Sequence, residues 1–172
     1  MNKWIIFCAL LSLGGCAHRC DNSGSFNSNS ETSLSGSPCR AEYLLYQNDM
    51  LQAKMLVSAG GNENTELAKA MLQRAARQDQ SGEAEFYQAV LLIRDGGAPS
   101  KSSDLLEQSA QRKHPLAIAL LAQQLAVSDP KQAERYRANY AELDVATSGY
   151  PSLEQAQNVA DGLIAPTVRH LP

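Results

Sequence analysis

Apolar residues fall along this chain in three regimes. Between Trp4 and Leu13 they are almost continuous, broken only by Ser12. Between Asp21 and Pro38 small polar residues take over, chiefly Ser, Asn and Gly. From about Arg40 the apolar positions return at helical spacing. Ala41, Leu44, Leu45, Leu51, Met55 and Leu56 are expected to share one helix face, stopped by Gly60-Gly61. Leu67, Met71, Leu72, Ala75 and Ala76 make a second stripe behind a cap at Asn64 or Thr65. Ala84, Phe86, Tyr87, Val90, Leu91 and Ile93 make a third, ended by Gly96-Gly97-Ala98-Pro99. Leu105, Leu106, Ser109 and Ala110 follow a Ser102-Ser103 cap. Pro115 opens Leu116 to Ala122, a segment apolar enough to be buried on most sides. Asp129-Pro130 starts a helix with Ala133, Tyr136, Tyr140 and Leu143, and Pro151-Ser152 starts a last one with Leu153, Ala156, Ala160 and Leu163.

The two-residue alternation of strands is missing. The expected fold class is therefore all-α, with about seven helices joined by short connections and stacked as antiparallel hairpins. Three segments follow. Residues 1–15 read as a leader and residues 16–39 as a tether too polar to offset its own ordering entropy. Residues 40–172 read as one helical domain of ordinary size.

Lys3, about ten apolar residues and then Gly14-Gly15 have the layout of a secretory signal peptide, and the apolar run is well short of the roughly twenty residues of a spanning helix. Leu13-Gly14-Gly15-Cys16 resembles the lipobox of bacterial lipoproteins. The resemblance implies a diacylglycerol on the Cys16 thiol, cleavage before Cys16 and acylation of the new amino group. Two or three acyl chains hold a protein at a membrane where one binds only reversibly. The residue after the cysteine is Ala17, not Asp. In enterobacterial lipoproteins that implies the outer membrane rather than retention at the inner one, with the body facing the periplasm.

Four cysteines are present. Cys8 would leave with the leader and Cys16 would carry lipid, so Cys20 and Cys39 remain as a pair in an oxidising compartment. A bridge between them would close a loop of about twenty residues, worth roughly 3 kcal/mol in a chain-entropy treatment. Two free thiols, or a second lipidation-like site at Cys20, are the alternatives, although His18-Arg19 before Cys20 does not resemble a lipobox. The formal charge of −3 gives no basic footprint for nucleic acid.

Met71 to Gln78 aligns with Leu105 to Arg112 at an offset of 34, and Ala84, Tyr87 and Ala89 align with Ala117, Leu120 and Ala122 at an offset of 33. A period near 34 in helical sequence is the tetratricopeptide length. Leu72-Gln73-Arg74-Ala75-Ala76 with Gly82-Glu83-Ala84, and Gln108-Ser109-Ala110 with His114-Pro115-Leu116-Ala117, resemble the Sel-one-like branch of that superfamily. The pattern is degenerate: the family's Leu-Gly is Gln88-Ala89 in one copy and Leu121-Ala122 in the other, and its aromatic before the small pair is Arg74 or Gln108. The resemblance spans about Thr65 to Ala126 and implies a short tetratricopeptide-like solenoid with a concave binding face.

Candidate chemistry is sparse. His18, His114 and His170 are scattered, and no metal-ligand spacing, phosphate loop or nucleophile elbow is present, so no cofactor is expected. His114, before Pro115, is expected to be solvated, as are Glu83 and Glu85. Tyr136 and Tyr140, four residues apart, are expected to pack together rather than hold a ligand. If the repeats stack, Arg74, Arg77, Gln78, Gln108, Gln111 and Arg112 occupy equivalent turns and are the candidate partner-binding residues, suited to an acidic peptide or a polysaccharide. An ordinary solvated face is the alternative.

The expected function is a lipid-anchored, periplasm-facing scaffold or accessory factor for an envelope machine such as a secretion channel, pilus or polysaccharide exporter. This rests on architectural analogy. A regulator, inhibitor or immunity protein for a cell-envelope enzyme, or an unrecognised enzyme, stay open.

Overall fold

The computed structural model describes residues 38–144 and 149–165. The described residues form seven helices and no strand: α1 (Pro38–Ala59), α2 (Asn62–Ala75), α3 (Glu83–Arg94), α4 (Pro99–Gln111), α5 (Pro115–Ser128), α6 (Pro130–Ala141) and α7 (Leu153–Ile164). The fold is all-α, built of stacked antiparallel hairpins. The closest pairs are α1 with α2, α3 with α4 and α5 with α6, while α7 lies on α5 and also meets α3 and α6. The hairpins thus begin one helix earlier than the aligned segments suggest, so that α2 pairs most closely with α1.

Local chemistry sets the boundaries. Gly60 and Gly61 take positive φ values of 69° and 91° and turn the chain between α1 and α2. Asp129 accepts a hydrogen bond from the Gln132 backbone at 3.0 Å, and Ser152 accepts one from the Gln155 backbone at 3.1 Å, capping α6 and α7 as expected. Two starts differ from expectation. α2 begins at Asn62, ahead of Asn64 and Thr65, and the Asn64 amide donates back to the Gly60 carbonyl. α4 begins at Pro99, because a proline at the first helical position loses no hydrogen bond. Ser102 therefore sits inside the first turn and donates to the Pro99 carbonyl.

The face expected to bury α1 is turned outward. Leu44, Leu45, Leu51 and Met55 are 54%, 58%, 59% and 64% exposed. The buried face holds Asp49, Met50, Ala53 and Val57 instead. Its small Ala53 lets helices approach closely, and its one charge, Asp49, is paired with Arg74 from α2.

The core runs through α3 and α5. Every residue from Leu116 to Ala122 is buried. Burial also recurs at the sequence offsets. Ala68, Leu72 and Ala75 of α2 correspond to Ser102, Leu106 and Ser109 of α4, and Ala84, Phe86, Tyr87 and Ala89 of α3 correspond to Ala117, Ala119, Leu120 and Ala122 of α5. Tyr140 is buried and donates to the Tyr150 and Ser152 carbonyls at 3.0 and 3.1 Å, joining α6 to the approach of α7, while Tyr136 is half-buried against the same core.

Cys16, Cys20 and the expected leader lie outside the described residues. Cys39 falls in the first turn of α1, so the helix starts inside the segment read as tether. No helix among the described residues is long and apolar enough to cross a membrane.

Candidate functional site: a groove between α4 and α6

The turn between α2 and α3 organises one end of the molecule. Asp79 is buried there, and its carboxylate accepts from the Ser81 backbone and hydroxyl, the Ala84 backbone and the Tyr46 hydroxyl. Burial alone would raise its pKa, but these hydrogen bonds outweigh that effect and hold it below the ordinary value. Asp79 thereby does the capping that Gly82, at the N-cap of α3, cannot supply.

Arg112, at the end of α4, reaches into the same turn. Its Nη1 donates to the Asp79 carbonyl at 2.9 Å and to Glu85 Oε1 at 2.7 Å. Glu85 is only 5% exposed, contrary to the expectation of a solvated carboxylate. Burial raises its pKa, against the opposing pull of Arg112. The helix α3 is buried along so much of its circumference that its first turn cannot keep both glutamates in water.

Lys113 follows with a positive φ of 63°. The bend lets the His114 backbone donate to the Ser109 carbonyl at 3.2 Å and folds the imidazole onto Phe86, ring centroids 4.9 Å apart. His114 is thus buried rather than solvated, and burial lowers its pKa to about 4, so the ring is neutral near pH 7. Its Nδ1 is buried and has no hydrogen-bond partner among the described residues.

These residues bound one end of a groove. α4 and α6 both pack on α5, and three hollows with shared lining residues run from the turns at this end into the cleft between α4 and α6. The first encloses about 620 Å³ between Ser81, Glu83, Lys113, His114, Glu142 and Tyr150. It shares Lys113, Glu142 and Leu143 with a second of about 210 Å³. The second shares Ala110, Gln111 and Asn139 with a third of about 290 Å³, bounded by Glu107, Gln132, Arg135 and Tyr136. Ala110, Ile118 and Leu143 supply apolar surface, and amides and charges of both signs surround it. Gln111, Gln132 and Asn139 each carry a donor and an acceptor, the complement of an extended peptide backbone.

The six residues singled out from the repeat do not form one site. Arg112 and Gln111 line the groove. Arg77 and Gln78 are exposed in the turn after α2, and Gln108 is exposed on α4. Arg74 forks onto both oxygens of the buried Asp49 and is committed to holding α1 against α2. Repeat alignment finds equivalent turns but not which residues a neighbouring helix claims. It also misses Lys113, Asn139 and Arg135. Arg135, Asn139 and Glu142 do recur at helical spacing on α6, the one signal of a shared polar face.

Among the described residues no group of three or more His, Cys, Asp or Glu side chains is placed to hold a metal ion. Set against known protein families, curated proteins and solved structures, the chain matches none.

Proposed function

We propose that this protein is a lipid-anchored scaffold that binds a partner protein of the bacterial envelope. In this reading Cys16 carries the lipid, the outer membrane holds the protein with its body toward the periplasm, and residues 16–37 give that body reach. The partner is a component of an envelope machine for secretion, pilus assembly or polysaccharide export, and the protein acts by holding it in place.

The observation that supports the reading is the groove between α4 and α6. Its three hollows lie in series, which suits an extended chain segment better than a compact small molecule. Where the groove runs between α4 and α6, its walls are helices fixed on α5, so little ordering of the protein there opposes binding. Lys113 and Arg135 can meet acidic side chains of that segment, while Glu107 and Glu142 set its register by excluding others.

A photo-crosslinking residue in place of Asn139, in the full-length chain expressed in bacteria, tests the reading. The expected product is an adduct with an envelope protein that disappears in Lys113→Glu with Arg135→Glu. An adduct with a cell-wall hydrolase would replace the scaffold reading with that of an inhibitor. Glycan adducts alone would replace it with polysaccharide binding, and no adduct would reject the groove as the contact surface.

A further inference from the structure

The outward face of α1 is a second surface, separate from the groove. Ala41, Leu44, Asn48, Leu51, Met55 and Ser58 are all exposed and are spaced alternately by three and four residues. That is the a/d pattern of a coiled-coil seam, sustained over about two and a half heptads. It lies opposite the face that packs on α2, which carries Asp49, Met50, Ala53 and Val57. A helix at the end of a stack normally turns a polar face outward. This one presents four large apolar side chains, counting Leu45 beside the seam.

We propose that the seam is covered by the same seam of a second copy of this chain, with the two α1 helices parallel. The chain just before α1 has little to offer it, with only Phe26 and Leu34 as large apolar side chains in residues 21–37. The apolar run Trp4 to Leu13 leaves with the leader, on the reading given above. A second copy fits by charge. The seam itself has no charged residue, and in a parallel pair the flanking neighbours are Arg40 with Leu45, Gln47 with Gln52, and Lys54 with Ala59, so no like charges meet. Lys54 is already held by Glu83 at 3.0 Å.

Asn48 fixes the direction. In a parallel pair it faces its own counterpart, and each amide can donate to the other. In an antiparallel pair that matches Leu44 to Met55, Asn48 lies against Leu51 and its amide has no partner across the seam. Among the described residues of the single chain the Asn48 side chain accepts from the neighbouring Gln52 amide, at 2.9 Å.

The test uses the full-length chain expressed in bacteria. A photo-crosslinking residue in place of Leu51 should join the chain to itself and double its mass. The same residue in place of Val127, which is 93% exposed on α5, should not. Asn48→Asp or Asn48→Lys alone should each lower the self-adduct by about tenfold or more through like-charge apposition. Co-expressing the two variants with different tags should restore it as the mixed pair. An adduct with a different protein at Leu51, or none, overturns the proposal. Failure of the Asp and Lys variants to rescue each other overturns the parallel pairing. Asn48 is exposed in the single chain, so retained helicity of both variants by circular dichroism shows that a loss is one of pairing.

Discussion

The Ser109 hydroxyl donates to the Gly82 carbonyl at 2.6 Å, in a fully buried contact that pins α4 to the turn opening α3. Gly82 has φ 76°, and a Cβ added there would lie 2.8 Å from the Ser109 carbonyl oxygen. Gly82→Ala is therefore expected to destabilise by more than about 2 kcal/mol, from the left-handed backbone plus overlap with backbone that cannot yield. Ser109→Ala should cost only about 1 kcal/mol, because the Phe86 backbone still donates to the same carbonyl. Urea unfolding of the two variants separates these values; equal costs would mean the contact is looser than described.

Ala84 and Ala117 are fully buried at equivalent places in successive hairpins. Ala84→Leu should overpack the site and cost roughly 1–3 kcal/mol. A neutral thermal melt would show that α3 has room at its first turn.

The surface arginines should divide sharply. Arg77 is exposed, and Arg77→Glu should shift stability by less than about 0.5 kcal/mol. Arg112→Glu should cost about 2 kcal/mol, because it removes the partner of a buried Glu85 and a donor to the Asp79 carbonyl. The figure is below that for a fully buried pair because the Arg112 side chain is 38% exposed and partly screened. In Arg112→Gln combined with Glu85→Gln, part of that loss should return. A denaturation series in which Arg112→Glu matches Arg77→Glu would contradict the pairing.

His114 predicts an acid limb in stability. Its pKa is lowered in the fold from 6.5 to about 4. Its neutral form is favoured in the fold, so its contribution is complete above 6.5 and falls away as pH drops toward about 4. The total is on the order of 3 kcal/mol. His114→Phe, which keeps a ring against Phe86, should flatten the stability curve over that window. An unchanged slope between the two proteins would assign the acid sensitivity elsewhere.

Anchoring has its own test. Cys16→Ala should leave the protein unprocessed or soluble on fractionation while its helical circular dichroism stays unchanged. A Cys16→Ala protein still extracted only by detergent would exclude the lipid as the anchor.

The fold was largely legible because helix periodicity and turn chemistry are local. Asp129-Pro130 and Ser152 cap the helices they were expected to cap, and the Leu116 to Ala122 run is buried on all sides. α1 departs from expectation because it carries apolar residues on two faces, and only the presence of α2 decides between them. Its more hydrophobic stripe lost to the one whose Ala53 permits close approach and whose Asp49 meets Arg74. His114 and Glu85 were misread for a related reason. Their burial follows from the His114 ring meeting Phe86 and the Arg112 guanidinium reaching Glu85, contacts between residues almost thirty apart in sequence. The groove was only half legible, since α6 carries a readable polar stripe but nothing local says that α4 stands across from it.

The burial of α5 makes the molecule unequal along its length. α5 is walled by α4, α6 and α7, whereas α1 and α2 reach the rest chiefly through α3. Amide hydrogens of α5 should therefore exchange with solvent only through global unfolding, while the N-terminal hairpin opens first as a separate cooperative unit. Deuterium entering α1 and α2 early thus becomes a built-in reporter. Anything that clamps the outer helix slows exchange there and leaves the already protected α5 unchanged.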